Sequence, residues 1–172
     1  MSVKVTIACT LLAVSIWLLP VSEHLVPASH AGEQGTFTGS WVANGSKEVL
    51  SLGENRETSL FKLSGHVSLK DKIGKEKDFW ANCIGLADDE TGSDIRCVWR
   101  SLDGQEIYIV LEGRRMEEAS RVTGNLVAGT GSWKGITGTL QFTWSTMLLQ
   151  QVNEEVDIGG FSKDISGSYQ IP

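Results

Sequence analysis

Residues 122–144 read Val-Thr-Gly-Asn-Leu-Val-Ala-Gly-Thr-Gly-Ser-Trp-Lys-Gly-Ile-Thr-Gly-Thr-Leu-Gln-Phe-Thr-Trp, and their reading decides the fold. Two β-type segments flank a turn that contains Gly129, Gly131 and Gly135. Glycine is the residue a chain uses where it must take positive φ or approach another backbone closely. The stretch predicts strand, tight turn, strand. Its second arm places Gly138, Leu140, Phe142, Trp144 and Thr146 on one face.

Outward from this hairpin the same pattern recurs. Residues 59–70 alternate, with Phe61, Leu63, Gly65, Val67 and Leu69 on one face and Lys62, Ser64, His66, Ser68 and Lys70 on the other. Residues 36–42 carry Phe37 and Trp41, and residues 164–171 bring Ile165, Gly167, Tyr169 and Ile171 into step. Residues 78–87 and 95–102 form two strands around an acidic loop, and Asp103-Gly104 is a hairpin signal. A two-residue turn there pairs Trp99 with Tyr108 and Cys97 with Val110. One face then holds Ile95, Cys97, Trp99, Tyr108, Val110 and Glu112, and the other Arg96, Val98, Arg100, Ile107, Ile109 and Leu111. Both faces are mainly apolar and both carry charge, so the pattern leaves the interior face open. An apolar outer face also fits packing against a second subunit, hence a homo-oligomer. Residues 70–77 read as an exposed loop and residues 113–120 as a charged break, and residues 150–160 are polar and acidic.

About eight strands and no amphipathic helix make the mature chain one all-β domain. Successive hairpins with glycines inside strands favour a closed antiparallel barrel over a sandwich. The segment Gly129-Thr130-Gly131-Ser132-Trp133-Lys134-Gly135-Ile136-Thr137-Gly138 resembles a turn-and-strand signature shared by allene oxide cyclases and plant dirigent proteins. The final Gly167-Ser168-Tyr169-Gln170-Ile171-Pro172 fits the same strand order. The resemblance implies an eight-stranded, calycin-like barrel that often trimerises and holds an apolar ligand in its lumen. It carries no catalytic residue of either family onto this chain.

The amino terminus sets the compartment. Lys4 precedes an apolar run ending at Pro20, and Ser29-His30-Ala31 supplies small residues for a signal peptidase. Residues 1–31 read as a secretory signal and residues 32–172 as the barrel domain, exported to a periplasm or secreted, with no membrane attachment after cleavage. Only Lys4 and Glu23 leave with the signal, so the remainder keeps a net charge of −6. That acidity, without a basic stripe, excludes nucleic acid as a partner. Cys83 and Cys97 remain as an even pair in an oxidising compartment and predict a disulfide.

The inventory for chemistry is short. His66 is the one histidine outside residues 1–31 and lies on a polar face, which argues against a histidine-rich metal site or a Ser-His-Asp triad. The acidic loop 88–94 lacks the spacing of a calcium hand. Asn44-Gly45-Ser46 matches a glycosylation acceptor, relevant only in a eukaryotic secretory route. No cofactor or metal is expected. An eight-stranded barrel has room either for its own side chains or for one small ligand. Candidate ligand-binding residues are Trp80, Trp99, Tyr108, Glu112, Phe142 and Trp144, with Arg96 or Arg100 as further polar anchors. Three readings stay open: a barrel that binds a small, mainly apolar molecule, an isomerase or cyclase that constrains a reactive substrate, and a filled, structural barrel. N-terminal sequencing of the protein recovered outside the cytoplasm is expected to begin near Gly32, and an intact Met1 would contradict the signal.

Overall fold

In a computed structural model, residues 32–117, 119–152 and 155–172 are described; the signal segment 1–31 lies outside them. Among the described residues are eight strands: β1 (Glu33–Ser51), β2 (Glu57–Asp71), β3 (Glu76–Asp88), β4 (Gly92–Ser101), β5 (Glu106–Arg115), β6 (Ser120–Gly129), β7 (Thr137–Val152) and β8 (Glu155–Ile171). Each pairs antiparallel with the next, and β8 pairs with β1, so the sheet closes into a barrel. One end carries residues 72–75, 102–105 and 130–136 and both ends of the barrel chain; the other carries residues 52–56 and 89–91 and the described residues 116, 117 and 119.

Period-two alternation supplies the core. In β2 and β3, Leu63, Gly65, Val67, Phe79, Ala81 and Cys83 are buried, and Lys62, Ser64, His66, Trp80, Asn82 and Ile84 are exposed. The strand from 36 extends well past 42: β1 runs to Ser51 because its second half pairs with residues 57–64 on one side and 155–160 on the other. Residues 155–160 are likewise strand.

The β4–β5 register differs from the expected one by a single residue. Ser101 N–H donates to Gln105 O at 2.9 Å and Gly104 N–H to Ser101 O at 2.9 Å, with Gly104 at φ 80°. The loop therefore has three residues, and glycine takes the left-handed position that closes it. Trp99 pairs with Ile107, Cys97 with Ile109 and Ile95 with Leu111. One residue of slip turns every β5 side chain over. Ile107, Ile109 and Leu111 join Ile95, Cys97 and Trp99 inside, whereas Tyr108, Val110 and Glu112 share the outer face with Arg96, Val98 and Arg100. This register sends Arg96, Arg100, Glu106 and Glu112 outward together, which the expected one did not.

The turn at 130–136 closes one end of the barrel. It contains one turn of 3-10 helix, Gly131–Trp133, with Gly131 and Gly135 at φ 59° and 80°. The turn is pinned to the β4–β5 hairpin: Glu106 N–H donates to Thr130 Oγ1 at 2.8 Å, and Gln105 Oε1 accepts from Ser132 N–H at 2.7 Å and from its hydroxyl at 2.6 Å. Trp133 thereby lies over the lumen, against Phe79 at 5.9 Å and Tyr169 at 6.4 Å, with Lys77 Nζ 4.0 Å from its ring. The Tyr169 hydroxyl donates to Glu33 Oε1 at 2.7 Å; burial first, and then the Glu33 carboxylate, push that phenol up to about 12.

Two local devices complete the wall. The register of β8 shifts against both neighbours around residues 162–165, and Asp164 accepts there from Thr143 N–H at 2.8 Å and the Ser162 hydroxyl at 2.9 Å. The shift disrupts the ladder, and the carboxylate takes over a backbone donor. Partial burial raises the pKa of Asp164, but the hydrogen bonds from Thr143 and Ser162 outweigh it, and the net direction is downward. Cys83 and Cys97 are direct cross-strand partners at disulfide distance, their Cα atoms 4.2 Å apart. Replacing both by alanine is expected to lower unfolding free energy by about 3 kcal/mol, the entropy of a loop of about 15 residues. Urea denaturation measures it, and unchanged stability would show the cross-link to be thermodynamically idle.

Candidate functional site

Side chains fill the barrel unequally. Toward the Trp133 end the lumen is packed with Phe37, Phe79, Trp99, Ile107, Leu126 and Ile136, and a cavity of only about 100 Å³ remains. Toward the other end a cavity of about 430 Å³ opens to the surface. Its aromatic lining comes from Trp41, Phe142 and Trp144. Trp41 lies 4.7 Å from Trp144 and meets Phe142 edge-on at 5.8 Å. Phe61, Leu63, Ile95, Val122 and Ile158 add aliphatic and aromatic wall. The volume falls in the range of small-molecule sites, and the apolar wall is joined by polar and charged side chains, among them Lys47, Glu57, Ser59, Asp88, Asp89 and Arg115. The buried Trp41 Nε1 and Trp99 Nε1 have no hydrogen-bond partner among the described residues, a cost of about 1–3 kcal/mol each that the packing leaves uncompensated.

Charges gather at the mouth. Arg56 Nη2 lies 2.9 Å from Asp88 Oδ2 and its Nη1 2.9 Å from Glu90 Oε2; Arg115 Nη1 lies 2.7 Å from Asp89 Oδ1. Asp88 Oδ1 also accepts from the backbone N–H groups of Glu90 and Thr91, at 2.9 and 3.1 Å, which ties down the β3–β4 turn. The Arg56 hydrogen bond, then the Glu90 N–H, hold the Asp88 carboxyl down at about 2 against the opposing effect of burial. Lys47 is different: half-buried on the inner face of β1, it lines the cavity and makes no ion pair among the described residues.

The candidates from sequence separate cleanly. Phe142 and Trp144 line the open cavity. Trp99 is inside but fully buried, and it lines the small cavity at the closed end. Trp80, Tyr108 and Glu112 face outward and do not reach the lumen, and the same holds for Arg96 and Arg100. Tyr108 and Glu112 moved with the register; Trp80 occupies an outward position because its neighbours Phe79 and Ala81 point in. His66 faces solvent, its Nε2 3.4 Å from Asp78 Oδ1, so it is no part of an internal triad. Lys47 and Trp41 are among the cavity residues that the site reading missed, with Phe61, Leu63, Ile95, Val122 and Ile158. Extending the alternation from Trp41 through Ala43 and Gly45 places Lys47 inward, a signal lost by ending that strand at 42. Among the described residues no group of histidine, cysteine and carboxylate side chains could hold a metal ion, and no helix is long and apolar enough to cross a membrane. Compared with family models, curated proteins and solved structures, the chain matches none.

The Asp88 cluster gives the mouth a defined acid response. A carboxyl held below its unfolded value stabilises the fold above that value, and the contribution is lost as pH falls through the folded pKa of about 2. Arg56→Ala removes the largest cause, so the Asp88 titration is expected to move up toward the ordinary aspartate range while the two backbone donors still hold it partly down. Carboxyl-carbon NMR across acid pH reads this directly, and an unmoved midpoint would contradict the assignment.

Proposed function

We propose that this protein is an exported binding barrel that holds one small, mainly apolar molecule in its open cavity. The observation that carries the reading is the uneven filling of the lumen: aromatic packing under Trp133 closes one end, and a cavity of about 430 Å³ with an aromatic lining opens at the other. An apolar ligand there gains from burial in proportion to its area, and Lys47 is the wall group that would orient a ligand oxygen. The cysteine pair at disulfide distance supports an oxidising compartment and, with the segment 1–31, export. The likeness of residues 129–138 to allene oxide cyclases and dirigent proteins supports the same reading, because their barrels hold apolar ligands. The exposed Leu60, Ile84 and Leu86, neighbours on β2 and β3, support association of copies through the outer wall.

Native mass spectrometry of the protein from its own host, compared with a denatured sample, is expected to show a stoichiometric passenger. Nile red is expected to bind saturably to the emptied protein. Thr146→Trp, at an exposed position on the cavity wall, should block both with little change in thermal stability. A protein with no passenger that also fails to bind Nile red would end this reading.

A further inference from the structure

Trp80 differs from the other described tryptophans, which are all buried: it lies on the outer face of β3 and is 55% exposed. Its cross-strand neighbours are His66 on β2 and Arg100 on β4, and its same-face neighbours along β3 are Asp78 and Asn82. An arginine directly opposite an indole can lie over the ring and gain a cation–π contact. Here it does not. Arg100 turns its Nε and Nη2 to Glu106 Oε1, at 2.9 and 2.5 Å, and Glu106 takes the Tyr108 hydroxyl on its other oxygen at 2.7 Å. His66 is drawn toward Asp78 at 3.4 Å, and Ser64 donates to Asn82 Oδ1 at 2.8 Å, which leaves the Asn82 amide protons available.

These pairings have two consequences. The neighbours that would cover the indole are held beside it, so its face stays open. Arg100 is also paired with Glu106, so the cation beside the ring is already neutralised and the border is polar without a free positive charge. An open aromatic face bordered by hydrogen-bonding groups matches a ligand with an apolar face and a polar edge. A pyranose ring has that form, with C–H bonds on its face and hydroxyls around its rim. We propose that Trp80 is a stacking platform for a sugar ring of a neutral carbohydrate, with Asn82, His66 and Arg100 placed to meet its hydroxyls. The apolar patch of Leu60, Ile84 and Leu86 offers no aromatic face. The platform is on the outer wall and does not depend on the cavity being occupied.

The test titrates the protein with cellohexaose, chitohexaose and maltohexaose and follows the indole N–H resonance of Trp80 by NMR, identified through Trp80→Phe. At least one sugar is expected to shift that resonance saturably while leaving those of the buried tryptophans in place. Added salt should change the affinity by less than about twofold, because no ion pair forms. Trp80→Ala should weaken binding about tenfold or more, and Trp80→Phe less. Its outward position makes the alanine variant compatible with folding, which a thermal melt verifies. The proposal is overturned if none of the three sugars moves the resonance, or if Trp80→Ala binds as well as the wild type. It is equally overturned if the resonance moves with protein concentration alone and sedimentation shows association lost in Trp80→Ala, which would assign Trp80 to a contact between copies.

Discussion

Pairing of β1 with both β2 and β8 is the constraint on which the remaining structure depends. It removes the sheet's free edges, and it commits half of every strand's side chains to an enclosed lumen. An enclosed lumen must be filled or hold something, because apolar side chains around unfilled space forgo their dispersion contacts. This protein divides the two solutions along the barrel. Trp133 and the aromatic residues beneath it fill one end, while Trp41, Phe142 and Trp144 line space at the other. Strand length contributes: β1, β2, β7 and β8 have 15 to 19 residues, against 10 in each of β4, β5 and β6. The wall around the open end is therefore long on one side and short on the other.

The charges obey the same closure. With an apolar interior, ionised groups are confined to the outer face and the two rims, since a buried charge is tolerated only with a partner. At the open rim three of the six described charges lining the cavity, Asp88, Asp89 and Arg115, are held in ion pairs. Arg56 serves Asp88 and Glu90, Arg115 serves Asp89, and the Asp88 carboxylate also tightens its own turn. These pairs organise the mouth more than they stabilise the fold, because exposed ion pairs contribute little free energy. Lys47 stands outside this set, as do Glu57 and Glu117, and Lys47 is the cation among them.

How far the sequence was legible follows from how local each signal is. Alternation at 59–70 and 137–146 depends only on neighbours along one strand, and it gave the correct inward face. The β4–β5 hairpin failed on one turn residue: Asp103-Gly104 announces a hairpin but does not distinguish a two-residue from a three-residue loop. The criterion that resolves it, charges of both strands together on the outer face, was already present in Arg96, Arg100 and Glu112. For β1 the obstacle was length. Asn44-Gly45-Ser46 looks like a break, yet it lies mid-strand because hydrogen bonds from β2 and β8 hold it on both sides. With that half of β1 went Lys47.

By itself the sequence determined that the chain is all-β with about eight strands, which faces of the clearly alternating strands point inward, and that Cys83 and Cys97 belong together. The first two rest on side-chain period, and the third on Cys83 and Cys97 being the two cysteines outside residues 1–31. Only the tertiary structure decided where the glycine-rich turn would go and what it would do. Its Trp133 closes the barrel because Gln105 and Glu106, more than twenty residues earlier in the chain, pin the turn across the lumen. The open cavity, the inward Lys47 and the outward Trp80 were decided the same way. Each depends on register and on closure between strands far apart in sequence, which no local pattern encodes.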